Sequence, residues 1–170
     1  DVQNLIYLGS SCIYPKDCPQ PIKEEYLLSG PLEFTNEPYA IAKIASLKLC
    51  ENYNFQYSRN YITVMPTNLY GPNDNYDLNT SHVFPALIKK VVIAKKENYK
   101  NIEIWGSGKP LREFLHVDDL ADAILFLMKS LKKPDILNIG SSEELSIEEL
   151  AKKMIYLSGL DIDIKYNETM

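Results

Sequence analysis

The sequence predicts an α/β protein with a mostly parallel sheet, and three observations lead there. Short apolar runs of strand length alternate with segments whose apolar residues recur at helical spacing, from one end of the chain to the other. The stretches between them are punctuated by proline, glycine, asparagine and aspartate, with no repeats or low-complexity tracts. The 170 residues, 45% hydrophobic, suffice to bury a core in one or two domains.

Leu5, Ile6, Tyr7 and Leu8 form the first strand, and Gly9 lets the chain turn sharply behind it. Residues 15–37 make a connection too long for a simple turn, and therefore a candidate functional loop. From Pro38 onward Ala40, Ile41, Ile44, Ala45, Leu47, Leu49 and Cys50 trace a helix, with the proline suited to its first turn. "YITVMP" is a strand stopped by Pro66, and polar "NDNYDLNTS" separates it from a helix near residues 82–96. "IEIWG" and "EFLHV" are strands, and "DDLADAILFLMKSL" is a helix with Asp118 as its N-cap. After the strand "ILNIG", the segment "SIEELAKKMIYLSG" carries a capping box in Ser146 and Glu149 and stops at Gly159. "DIDIKY" closes as a strand.

A formal net charge of −5 argues against a general nucleic-acid binder, while a few local lysines and helix N-termini still suffice for a small anionic ligand. Cys12, Cys18 and Cys50 form no CxxC pair and leave an odd thiol, which fits a reducing cytoplasm. No apolar stretch approaches a membrane span, and no signal peptide is evident. The chain starts at Asp1 almost directly on a strand, so it reads as a fragment or a processed product. "GSGKP" is a turn: Pro110 opposes a helix there, and no phosphate-loop pattern is completed.

"YAIAK" is the most informative stretch for chemistry. Tyr39 and Lys43, four residues apart on one helical face, bring an ammonium close to a phenol. A nearby cation favours the phenolate, lowering a pKa that is otherwise about 10 toward the range of acid–base work. The pair alone is equally an amphipathic helix with a half-buried tyrosine and a solvated lysine. Ser10, at the end of the preceding strand, completes a Ser–Tyr–Lys set that resembles the short-chain dehydrogenases/reductases. "GSSCIYP", "NEPYAIAK", "MPTNLYGP" and "REFLHVDDLA", in this order, are similar to the extended, nucleotide-sugar-modifying branch of that family.

The resemblance implies a partial Rossmann-type doubly wound sheet and part of a smaller α/β substrate domain. Residues 1–75 would be the latter half of the NADP-binding domain and 76–170 mainly the GDP-sugar domain, with 112–131 returning to the first. It implies NADPH as cofactor, a GDP-linked 4-keto-6-deoxy hexose as substrate, epimerisation at C3 and C5, reduction at C4, and a homodimer. Ser10 and Tyr39 would bond the substrate carbonyl oxygen, Tyr39 passing it a proton and Lys43 binding the nicotinamide ribose. Leu8, Gly9, Ser10, Ser11, Tyr39, Lys43, Pro66, Thr67, Asn68, Leu69 and His82 match cofactor-contacting positions.

The 4-ketone acidifies the C3 and C5 protons, so epimerisation needs a base on one face and an acid on the other. The matching positions are Cys12 and His82. Cys12 is otherwise a small buried hydrophobe, and His82 a helix-start residue without a task. His116 is expected to bond near Asp118 in a structural role. Lys90, Trp105 and Arg112 match substrate-binding positions, against the alternatives of a solvated lysine face for Lys90 and an ordinary strand-end aromatic for Trp105. Arginine suits phosphate through its bidentate fork.

His82 stands where a 3,5-epimerase that uses its nicotinamide transiently would carry lysine. Cys12 and Ile13 stand where a 4,6-dehydratase would carry an acidic pair. No glycine-rich dinucleotide fingerprint occurs in these residues. The isolated chain is therefore expected to expose a hydrophobic sheet edge and to bind NADPH weakly, and a non-catalytic binding relic stands as the third reading.

Overall fold

The structure is a computed structural model and describes residues 2–130 and 135–169. In chain order the strands are β1 (Asn4–Leu8), β2 (Asn60–Pro66), β3 (Asn68–Tyr70), β4 (Asn101–Trp105), β5 (Leu111–His116), β6 (Ile136–Ile139), β7 (Glu144–Ser146) and β8 (Asp163–Asn167). The helices are α1 (Glu37–Tyr57), α2 (Val83–Glu97), α3 (Val117–Ser130) and α4 (Ile147–Ser158). The expected end of the third helix at Leu131 lies outside the described residues. The chain divides into two compact units: Asp1–Leu69 with Leu115–Ser141, and Tyr70–Phe114 with Ser142–Met170.

In the first unit β1, β2 and β6 form a parallel sheet in that order. β2 lies between two partners, which is why its Ile62, Thr63, Val64 and Met65 form an unbroken buried run instead of an alternating one. β1 is the outer strand, and Leu5 and Leu8 on it are exposed. Gly9 follows β1 for a reason other than a turn. Its N–H donates to the Val64 carbonyl at 2.8 Å, and a Cβ there would meet Met65 Cγ at 3.1 Å and Val64 O at 3.3 Å. Glycine here permits two strands to close up; it is not among the residues with positive φ.

The long connection before α1 packs Cys18, Ile22, Tyr26, Leu27 and Leu32 against a core of Ile13, Tyr14, Ala40, Ile44, Leu47 and Met65. Tyr14 Oη donates to Asn138 Oδ1 at 2.6 Å, Asn138 Nδ2 donates to Ile22 O at 3.1 Å, and the Asn138 N–H donates to Glu24 Oε1 at 2.8 Å. Burial first, and the Glu24 charge second, push the Tyr14 hydroxyl well above the usual phenol range, so it remains a donor. α3 begins one residue earlier than expected. The Asp118 N–H donates to His116 Nδ1 at 3.3 Å, so His116, not Asp118, caps the helix, and Asp118 sits in the first turn.

In the second unit β4 and β8 pair in parallel, and α2 and α4 bury Leu87, Val91, Ala94, Leu150, Ala151 and Ile155 with Ile102 and Ile104 of β4. β4 alternates cleanly: Ile102 and Ile104 point inward, Glu103 and Trp105 outward. β5 pairs antiparallel with β7, a short strand whose polar sequence carried no strand signal. The capping box forms as expected, Ser146 Oγ accepting from the Glu149 N–H at 3.1 Å while Glu149 Oε2 accepts from the Ser146 N–H at 2.8 Å. Gly106 and Gly108 take left-handed φ of 69° and 72°, confirming a turn at "GSGKP".

Candidate active site

The carboxyl end of β1 carries the chemistry of the first unit. Ser10 is extended and its Oγ accepts the Cys12 N–H at 3.2 Å, capping a single 3-10 turn, Ser11–Ile13. A serine that accepts there keeps its own hydroxyl hydrogen to donate elsewhere. Ile13 is fully buried and Tyr14 nearly so, whereas Cys12 is exposed, which removes the buried-hydrophobe reading of that thiol. Cys18 is half-buried against the core, and burial pushes the Cys50 thiol up.

α1 presents the phenol and the ammonium. Pro38 sits in its first turn, and Tyr39 is 46% exposed. Lys43 Nζ donates to the Leu8 carbonyl at 2.8 Å and lies 5.7 Å from the Tyr39 ring centroid and 5.4 Å from that of Tyr7. The first bond ties the helix to the end of β1, 35 residues earlier. Among the described residues no carboxylate pairs with Lys43, so its charge is available to the phenol and to a ligand. The ring of Tyr7, a residue that sequence pattern assigned only to a strand, forms the second wall beside this ammonium.

β2 ends beside β1. Pro66 is buried, the Thr67 N–H donates to Ile139 O at 3.1 Å, and Asn68 and Leu69 open β3. Ligands of open α/β sheets bind at the carboxyl ends of parallel strands, where Leu8, Gly9, Ser10, Ser11, Thr67 and Asn68 sit. An ammonium with donors to spare, a serine hydroxyl and a glycine that lets backbone approach closely fit a nicotinamide riboside.

The second unit holds the remaining candidates. His82 occupies the N-cap position of α2; its carbonyl accepts the Ala86 N–H at 3.0 Å while its exposed side chain makes no cap bond. Lys90 is not part of a solvated face. Its Nζ donates to Glu103 O at 2.8 Å and lies 5.1 Å from the centroid of the half-exposed Trp105 ring. Burial lowers the Lys90 pKa, with the Glu103 charge acting against it. Arg112 is exposed on β5, and its Nη1 donates to Leu111 O at 2.7 Å.

The sequence profile of the NAD dependent epimerase/dehydratase family matches residues 1–140. The chain belongs to this family. Among family relatives, the GDP-L-fucose synthase of Sinorhizobium fredii (strain NBRC 101917 / NGR234) is 54% identical over 166 residues, covering 98% of this chain and 53% of that protein. The GDP-L-fucose synthase of Escherichia coli K12 is 49% identical over 168 residues, covering 94% of this chain and 52% of its own. The chain thus spans about half the length of the curated relatives it matches. Among solved structures, a GDP-L-fucose synthetase from Naegleria fowleri bound to NADP superposes with a TM-score of 0.90 at 31% identity, covering 99% of this chain and 52% of that one. A GDP-mannoheptose C4 reductase from Campylobacter jejuni with NADP bound gives 0.87 at 36% identity, covering 98% and 60%. The fold of this family member is accordingly Rossmann-like α/β.

Proposed function

We propose that the protein to which this chain contributes converts GDP-4-keto-6-deoxy-D-mannose to GDP-L-fucose, by epimerisation at C3 and C5 and reduction at C4. The 54% identity to a GDP-L-fucose synthase across nearly the whole chain carries this reading. The exposed Cys12 thiol beside Ser10 supports it from the side of chemistry. In the first unit Lys43 would hold the ribose of NADPH, and the Leu8–Ser11 and Pro66–Leu69 segments its nicotinamide ring. NADPH supplies the hydride that reduces C4.

The chain's own residues handle oxygen and protons. Ser10 and Tyr39 donate to the C4 oxygen, which stabilises the negative charge that develops there when a proton leaves C3 or C5. Cys12 removes that proton and His82 returns one, a thiolate serving as base and an imidazolium as acid. Tyr39 protonates the C4 oxygen as reduction proceeds, and Lys43 favours the resulting phenolate. Lys90, Trp105 and Arg112 take the GDP-sugar, the ring for stacking and the cations for phosphate. A homodimer is supported by Ile41, Ala45, Leu49 and Tyr53, which form an exposed stripe at four-residue spacing on α1. The three unpaired cysteines support a cytoplasmic setting.

The deciding experiment incubates the full-length enzyme with GDP-4-keto-6-deoxymannose and NADPH in deuterated water, with the product read by NMR. A reduced sugar carrying deuterium at C3 and C5 is the expected outcome. Recovery of unreduced, unexchanged sugar nucleotide would reject the reading and leave a binding-only protein.

A further inference from the structure

We propose that Asn36 is a positioning residue that sets the Cys12 thiol relative to the Tyr39 phenol; this rests on the epimerase–reductase reading above. Asn36 occupies the N-cap position of α1, three residues before Tyr39, where asparagine normally accepts a backbone N–H of its own helix. Here it makes no such bond. Its Nδ2 instead donates to the Cys12 carbonyl at 3.3 Å, across 24 residues. One side chain thereby links the start of the helix bearing the phenol to the turn bearing the thiol.

The geometry around Cys12 explains why such a link has work to do. On the chain's far side the turn is fixed by burial of Ile13 and Tyr14 and by the Tyr14–Asn138 bond. On the near side Ser10 Oγ holds the Cys12 N–H. The Cys12 carbonyl is the remaining backbone handle, and Asn36 holds it. Lys43 ties α1 to β1 about two turns further along, at Leu8. Thiol and phenol act on neighbouring carbons and oxygen of one hexose, so their relative placement governs proton removal more than overall stability.

The test compares full-length wild type with Asn36→Asp and Asn36→Ala. Aspartate is as good an N-cap as asparagine, but it has no N–H to offer a carbonyl. If Asn36 positions Cys12, Asn36→Asp melts like wild type yet exchanges C3 and C5 protons with solvent about tenfold or more slowly, misplacement of a reacting group being that costly. Asn36→Ala shows the same loss of exchange. Wild-type exchange rates in Asn36→Asp would overturn the proposal while leaving the functional reading intact. A loss of exchange that merely follows a lowered melting temperature in both variants would also overturn it, as a structural effect. Absence of exchange in wild type itself would remove the functional reading and this inference together.

Discussion

The helix α4 of the second unit and the reactive end of β1 in the first are held by different means. In the second unit, the capping box of α4 joins Ser146 to Glu149 and the stop at Gly159 closes the same helix, so partners lie within a few residues. In the first unit, Lys43 reaches Leu8 across 35 residues, Asn36 reaches Cys12 across 24, and Tyr14 reaches Asn138 across 124. Ordinary helix architecture is written locally, whereas the reactive groups are placed by contacts that exist only once the chain has folded. That division predicts different consequences for mutations in the two places.

The largest effect is expected at Lys43. Lys43→Met keeps the length of the stem but removes the charge beside Tyr39 and the bond to Leu8, and NADPH oxidation by the full-length enzyme should fall by about 10²–10⁴-fold. An unchanged rate would mean that the ammonium is idle. Tyr14→Phe tests the longest of these contacts on stability. It leaves Asn138 Oδ1 without its donor in a part-buried site and should cost about 1–3 kcal/mol in chemical denaturation.

Two glycines of the second unit sharpen the comparison, because both have φ of 72° but differ in the space around them. Gly159→Ala carries the left-handed penalty alone, about 1–2 kcal/mol. Gly108→Ala adds a Cβ 2.9 Å from Ile104 Cδ1 and 3.2 Å from Glu148 Cβ, and should lose about 1–3 kcal/mol more. Equal losses would show that the turn relaxes freely. The smallest effect belongs to Ser146→Ala, about 1 kcal/mol, read as faster amide exchange in the first turn of α4. The Glu149 carboxylate is held below its usual pKa first by the Ser146 N–H, which alanine keeps, and second by the Ser146 hydroxyl, which alanine removes. A depressed carboxylate stabilises the fold above its unfolded pKa, and that contribution fades as the pH falls through the folded value. Ser146→Ala should therefore differ least from wild type in acid.

The same contrast explains what the sequence made legible. The alternation of strands and helices, Pro38 in the first turn of α1, the capping box and the "GSGKP" turn all rest on short-range patterns, and each is where it was expected. β3 and β7, three residues each, are held by neighbouring strands and not by their own propensity, so they were invisible. The cap of α3 was misplaced because His116 Nδ1 takes up the Asp118 N–H two residues on, and Asp118 then supplies first-turn charge. The helical spacing of Tyr39 and Lys43 was readable, but the Tyr7 ring and the Leu8 carbonyl that fix the ammonium were not. Likewise nothing in "TNEPYAIAK" marks Asn36 as a partner of Cys12 rather than a cap for its own helix.

The central claim is that thiol and phenol divide the chemistry. The direct measurement follows deuterium incorporation at C3 and C5 and NADPH oxidation side by side, in full-length Cys12→Ser and Tyr39→Phe. Cys12→Ser is expected to abolish exchange, whereas Tyr39→Phe, which loses one of the two donors to the C4 oxygen, slows exchange only in part and hydride transfer far more. Equal effects of the two substitutions on exchange would contradict that division.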